Sequence, residues 1–164
     1  MGLTTEFYSA DPQQLVALFV ADLASEDDNG EAFFEQVKAY PVADFSFHLQ
    51  IPEDLDSLCQ SLRKQNPLIP SVFRDLLVEQ IWDDGPAITE SLTVLADHFA
   101  LMIAELNEHE MESAARDWAA TYPYQEPLRQ TPAYRALWQL QEVARDAVDR
   151  KRPLILHLAG HTFF

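Results

Sequence analysis

The chain has 164 residues, 48% of them hydrophobic and 11% aromatic, enough to bury one sizeable core without disulfides or metals. Eleven Lys and Arg against 27 Asp and Glu leave a formal charge of -16, which argues against nucleic-acid phosphates or an anionic membrane as partners and favours a basic protein. One cysteine, Cys59, fits a reducing, cytoplasmic setting, and neither a secretory leader nor a run of about eighteen apolar residues is visible.

Residues 3 to 9 alternate Leu3, Thr5 and Phe7 against Thr4, Glu6 and Tyr8, which predicts a strand. Asp11 followed by Pro12 caps a helix that runs to about Ala24 on Leu15, Leu18, Phe19 and Leu23. After an acidic turn, Ala32, Phe33, Val37 and Tyr40 predict a second short helix, stopped by Pro41. Residues 44 to 51 alternate Phe45, Phe47, Leu49 and Ile51 against Ser46, His48 and Gln50, a second strand. Pro52 opens a helix with acids in its first turn and Arg63 and Lys64 in its last.

From Ser71, the positions Val72, Phe73, Leu76, Leu77, Ile81 and Trp82 read as a helix ended by Asp83 to Pro86. The stretch from Ala87 to Leu106 reads as a long central helix, apolar over a wide arc, and Asn107 to Ala120 as a more polar one. Thr131 and Pro132 cap a last amphipathic helix that ends in Arg150, Lys151 and Arg152, and residues 153 to 159 form an apolar strand. The expectation is a single α+β domain: a small three-stranded sheet (the N-terminal strand, 44–51 and 153–159) covered by six or seven helices. The C-terminal strand is placed centrally, between the other two.

No motif names a reaction. His48 and His157 both fall inside predicted strands, and if those strands pair, the two imidazoles share a groove with Ser46 and Gln50 that suits a metal or a proton transfer. Glu105, His109 and Glu112 share the face of one helix if that helix is uninterrupted, a second candidate set of metal ligands. Cys59, between Leu58 and Leu62, reads as a core thiol. No glycine-rich phosphate loop and no nucleophile elbow is present, so no cofactor is implied.

Charge is segregated along the chain. Residues 1 to 62 carry twelve acids and one base, Lys38, whereas residues 129 to 164 carry six bases and three acids. Trp118, Tyr122, Tyr124, Phe163 and Phe164 lie in weakly amphipathic segments and are candidate anchors for a partner or for a second copy of the chain, which would make a homo-oligomer. The order of elements and the acidity are similar to those of bacterial inhibitor and immunity proteins such as barstar. That similarity implies a protein-protein interaction function and brings no residue roles with it. The leading expectation is an acidic binding domain for a basic protein; the alternative is a small enzyme or metal-binding domain built on the sheet histidines.

Overall fold

A computed structural model describes residues 3–25, 30–47 and 53–160. Its centre is a five-stranded sheet in the order β2-β1-β5-β4-β3, with every neighbouring pair antiparallel. The strands are β1 (Thr4–Ser9), β2 (Val42–Asp44), β3 (Leu77–Asp83), β4 (Glu90–Leu95) and β5 (Leu154–Ala159). Around them lie α1 (Pro12–Ala24), α2 (Glu31–Val37), α3 (Glu53–Arg63), α4 (Asp97–Glu105), α5 (Glu108–Ala119) and α6 (Pro132–Arg150), with two 3₁₀ turns at Phe73–Leu76 and Leu128–Gln130.

The three-stranded expectation is therefore corrected to five strands. The helix expected from Ser71 to Trp82 is instead a 3₁₀ turn followed by β3, and the expected helix from Ala87 to Leu106 is β4 followed by α4. The physical reason lies partly in the register of β3 against β4. Irregularities between Leu77 and Glu79 and between Gln80 and Trp82 break the period-two pattern, so Ile81 and Trp82 both pack on the same cluster and mimic helical spacing. The expected strand 44–51 begins earlier and is short: only Val42–Asp44 pairs, and residues 48 to 51 lie outside the described residues. The C-terminal strand is central, as expected, but it is flanked by β1 and β4.

Two cores form, one on each face. On one face α1 and α2 cover Tyr8, Leu92 and Ile155 with Leu15, Phe19 and Val37. The larger core on the other face joins Phe7, Phe45, Leu156 and Leu158 to side chains of α3, α4, α5 and α6. The break between α4 and α5 has a clear cause. Asn107 accepts from the Glu110 N–H while Glu110 accepts from the Asn107 N–H, a capping box that starts α5, and the buried Gln141 amide donates to the Ile103 and Leu106 carbonyls that α4 leaves open.

The register also places charge. β1 and β4 begin, and β3 and β5 end, at one end of the sheet, where Glu6, Asp83, Asp84 and Glu90 sit. The last turn of α1, with Asp22, and the start of α2, with Glu31, close around Gly30, beside the Asp22 carboxylate. At the opposite end Arg152 donates to Ser9 and Asp146 and lies over the Tyr40 ring, next to Arg150 and Lys151.

Candidate functional site

Glu6, His157 and Leu92 share one cross-strand row through β1, β5 and β4, on the face covered by α1. His157 is buried there beside the likewise buried Tyr8. Its Nδ1 lies 2.8 Å from Glu6 Oε2 and its Nε2 2.8 Å from Glu90 Oε1. The Tyr8 hydroxyl donates to the same Glu6 oxygen at 2.9 Å, and the Phe19 ring closes over the imidazole with centroids 4.8 Å apart. A carboxylate on each ring nitrogen requires both nitrogens to donate, so the arrangement holds an imidazolium between two carboxylates.

The electrostatics agree with that geometry. Burial alone pulls the His157 pKa down, but the hydrogen bonds and charges of Glu6 and Glu90 outweigh it and hold the value above the ordinary 6.5. For Glu6, burial works upward and the His157 and Tyr8 contacts downward, with a net value below the ordinary 4.5. The Tyr8 phenol, buried and beside Glu6, is pushed up and stays protonated. The cluster carries one positive and two negative charges, and neither ring nitrogen can take a metal or a substrate proton without displacing a carboxylate.

None of the other described sequence candidates joins this cluster; His109 and Glu112 line a separate depression with Arg129. His48 and Gln50 lie outside the described residues, as do Phe163 and Phe164. Ser46 is occupied with backbone: its hydroxyl accepts the Thr5 N–H at 2.9 Å and donates to the Thr5 carbonyl at 3.3 Å, extending the pairing of β2 with β1. Glu105 ends α4 whereas His109 and Glu112 belong to α5, so the uninterrupted helix that their spacing needed does not exist. Glu112 is instead gripped by the Tyr134 hydroxyl, Arg129 and Arg116, and the Tyr134 contact is the main reason its carboxyl stays below the ordinary range. Among the described residues, no group of three or more His, Cys, Asp or Glu could hold a metal ion.

Trp118, expected as a surface anchor, is completely buried. Its indole N–H donates to Ser57 Oγ at 3.2 Å, and its ring sits among Phe45, Phe47 and Tyr122. Tyr122 and Tyr124 lie above it, half-buried, and form one wall of an open groove of about 540 Å³ completed by Phe47, Glu126 and Pro132. The sequence singled out both tyrosines but gave no sign that Phe47 would join them, because Phe47 looked like an interior strand position.

Cys59 is a core thiol, as its neighbours suggested. It is fully buried, and that burial, ahead of the nearby Asp56 and Asp75 carboxylates, pushes its pKa up to about 12. Native protein at about pH 8 is therefore expected to resist iodoacetamide for hours while denatured protein takes one adduct, a difference that intact-mass spectrometry reads directly. Rapid labelling of the native form would contradict this packing.

No family model, no curated protein and no solved structure matches the chain. No helix among the described residues is long and apolar enough to cross a membrane.

Proposed function

We propose that this chain is a protein-binding domain whose acidic end engages a basic protein. The observation that carries the reading is the segregation of charge by the fold. Glu6, Asp83, Asp84 and Glu90 at one end of the sheet join Asp22 and Glu31 from α1 and α2, while Arg150, Lys151 and Arg152 gather at the other end, two of them paired with Asp146 and with Asp97 nearby. Arg135, at the start of α6, is a cation towards the acidic end, and it shares a shallow depression with Asp44. An acidic end of this kind steers a basic partner over one Debye length, roughly 8 Å at physiological salt.

Charge alone gives encounter without residence. Apolar anchors are available beside the acids: Leu23 is 60% and Phe34 57% exposed, flanking Asp22 and Glu31. The enzyme alternative has weaker support, since His157 is enclosed by Glu6 and Glu90 on both nitrogens.

The test is titration with a lysine-rich and arginine-rich helical peptide and with its acidic counterpart, followed by fluorescence anisotropy. The basic peptide is expected to bind, with affinity falling at least tenfold between about 50 and about 300 mM salt, and the acidic peptide not to bind. Binding of neither peptide, or affinity indifferent to salt, would overturn the reading.

A further inference from the structure

The groove beside Trp118 combines a wall of rings at the edge of the larger core with a carboxylate at its rim. Its wall is a run of rings, with Phe47 and Tyr122 centroids 5.9 Å apart and Tyr122 and Tyr124 centroids 5.6 Å apart, the last pair only 36° from parallel. Both tyrosine hydroxyls are shielded from solvent, the first beside Asp54 and the second beside the Ala133 backbone, which leaves the rings to form the wall. The rim carries an exposed carboxylate, Glu126, and α3 opens nearby with Glu53 and Asp54.

The surrounding loop is built to hold this shape. Pro123 and Pro127 restrict the backbone on either side, Tyr124 N–H donates to the Tyr122 carbonyl at 2.9 Å, and Trp118 supports Tyr122 from below at 5.5 Å in an edge-to-face contact. A wall of aromatic faces with a carboxylate at its mouth is complementary to a planar cation. A guanidinium stacks on tyrosine rings and pairs with a carboxylate in one pose, which an ammonium matches less well.

We propose that this groove receives an arginine side chain of the basic partner, its guanidinium stacked against Tyr122 and Tyr124 and paired with Glu126. The proposal rests on the reading that the chain binds a basic protein, and it names where one contact is made and which side chain makes it. The groove volume of about 540 Å³ accommodates an arginine together with its flanking backbone.

The experiment uses an acetylated, amidated glycine-arginine repeat peptide, the same peptide with citrulline, and the same peptide with lysine. The protein is labelled with fluorotryptophan so that the resonance of Trp118 reports the groove and that of Trp82 the other face. The arginine peptide is expected to shift the Trp118 resonance, while Trp82, beside Asp83, reports contact with the acidic end separately; the lysine peptide is expected to act more weakly at Trp118 and the citrulline peptide to be silent. Tyr124→Ala and Glu126→Gln are each expected to weaken the arginine peptide about tenfold. Glu126→Gln changes an exposed side chain, so it stays informative if Tyr124→Ala disturbs folding. Arginine binding that both variants leave unchanged but that Asp22→Asn with Glu31→Gln abolishes would overturn the groove while sparing the acidic end. Absence of any arginine-peptide binding to the wild type would overturn both.

Discussion

Replacing His157 by alanine is expected to destabilise the fold by about 3 kcal/mol, because Glu6 and Glu90 would then face each other across β5 without their counter-charge. Both carboxylates keep some contact with water, which holds the cost toward the low end for a broken buried ion pair. The pH profile carries a sharper signature. His157 has its folded pKa raised, so its contribution is fully present below the unfolded value near 6.5 and is lost as pH rises through the higher folded value. Glu6 has its folded pKa lowered, so its contribution is present above about 4.5 and is lost as pH falls through the folded value. Stability of the wild type is expected to peak between these limits and to fall on both sides. In His157→Ala the alkaline fall should flatten, as read by urea denaturation from about pH 5 to about pH 9. An equal alkaline slope in both proteins would remove the ionic cluster from the account.

Trp118→Ala is expected to cost about 4 kcal/mol, the largest effect of any single truncation on the α3 and α5 side of the sheet. The side chain is fully buried, contacts the rings of Phe45, Phe47 and Tyr122, and leaves Ser57 without its indole partner when removed. Set against about 5 to 15 kcal/mol for a domain of this size, such a loss should lower the melting temperature by ten degrees or more. Trp118→Phe, which keeps an aromatic ring but drops the N–H, is expected to lose less than half as much. Calorimetry of the two variants checks the order; a Trp118→Ala protein that melts like the wild type would place the indole outside the core.

Much of the architecture was legible from local signals. Asp11 with Pro12 and Thr131 with Pro132 are caps with unambiguous chemistry, and both start helices where expected, their side chains accepting from Gln14 and Tyr134. The apolar stretch from Leu154 to Ala159 is a central strand because both its edges are paired. The middle of the chain was misread for two physical reasons. In β3 two register irregularities put consecutive residues on one face, and in β4 an interior strand has apolar side chains on both faces, so Leu92, Val94 and Leu95 fit a wide helical arc as well as they fit a strand.

The same ambiguity hides one of the two carboxylates of the ionic cluster. His157 reads as a sheet histidine and Glu6 shares a face with Tyr8, but Glu90 falls in a stretch that reads as a helix, which leaves it without a place opposite β5. A mid-strand glutamate on the same face as a tyrosine was the available signal that a buried cation would be needed beside it. The full burial of Trp118 is hidden in the sequence for a related reason. Its own helix is highly charged, with Glu108, Glu110 and Glu112 near its start, and the burial of Met111, Ala114, Ala115 and Trp118 along one stripe emerges only when α3 and α6 pack against it.

The claim that the acidic end of the sheet is a binding surface is tested most directly by mapping where a basic peptide perturbs the backbone amides in a nitrogen-proton correlation spectrum. Shifts confined to the end of the sheet that holds Asp83, Asp84 and Glu90, together with Asp22, Glu31 and the groove of Tyr122 and Tyr124, are the predicted result. Shifts centred on Arg150, Lys151 and Arg152, or spread evenly over the surface, would contradict it.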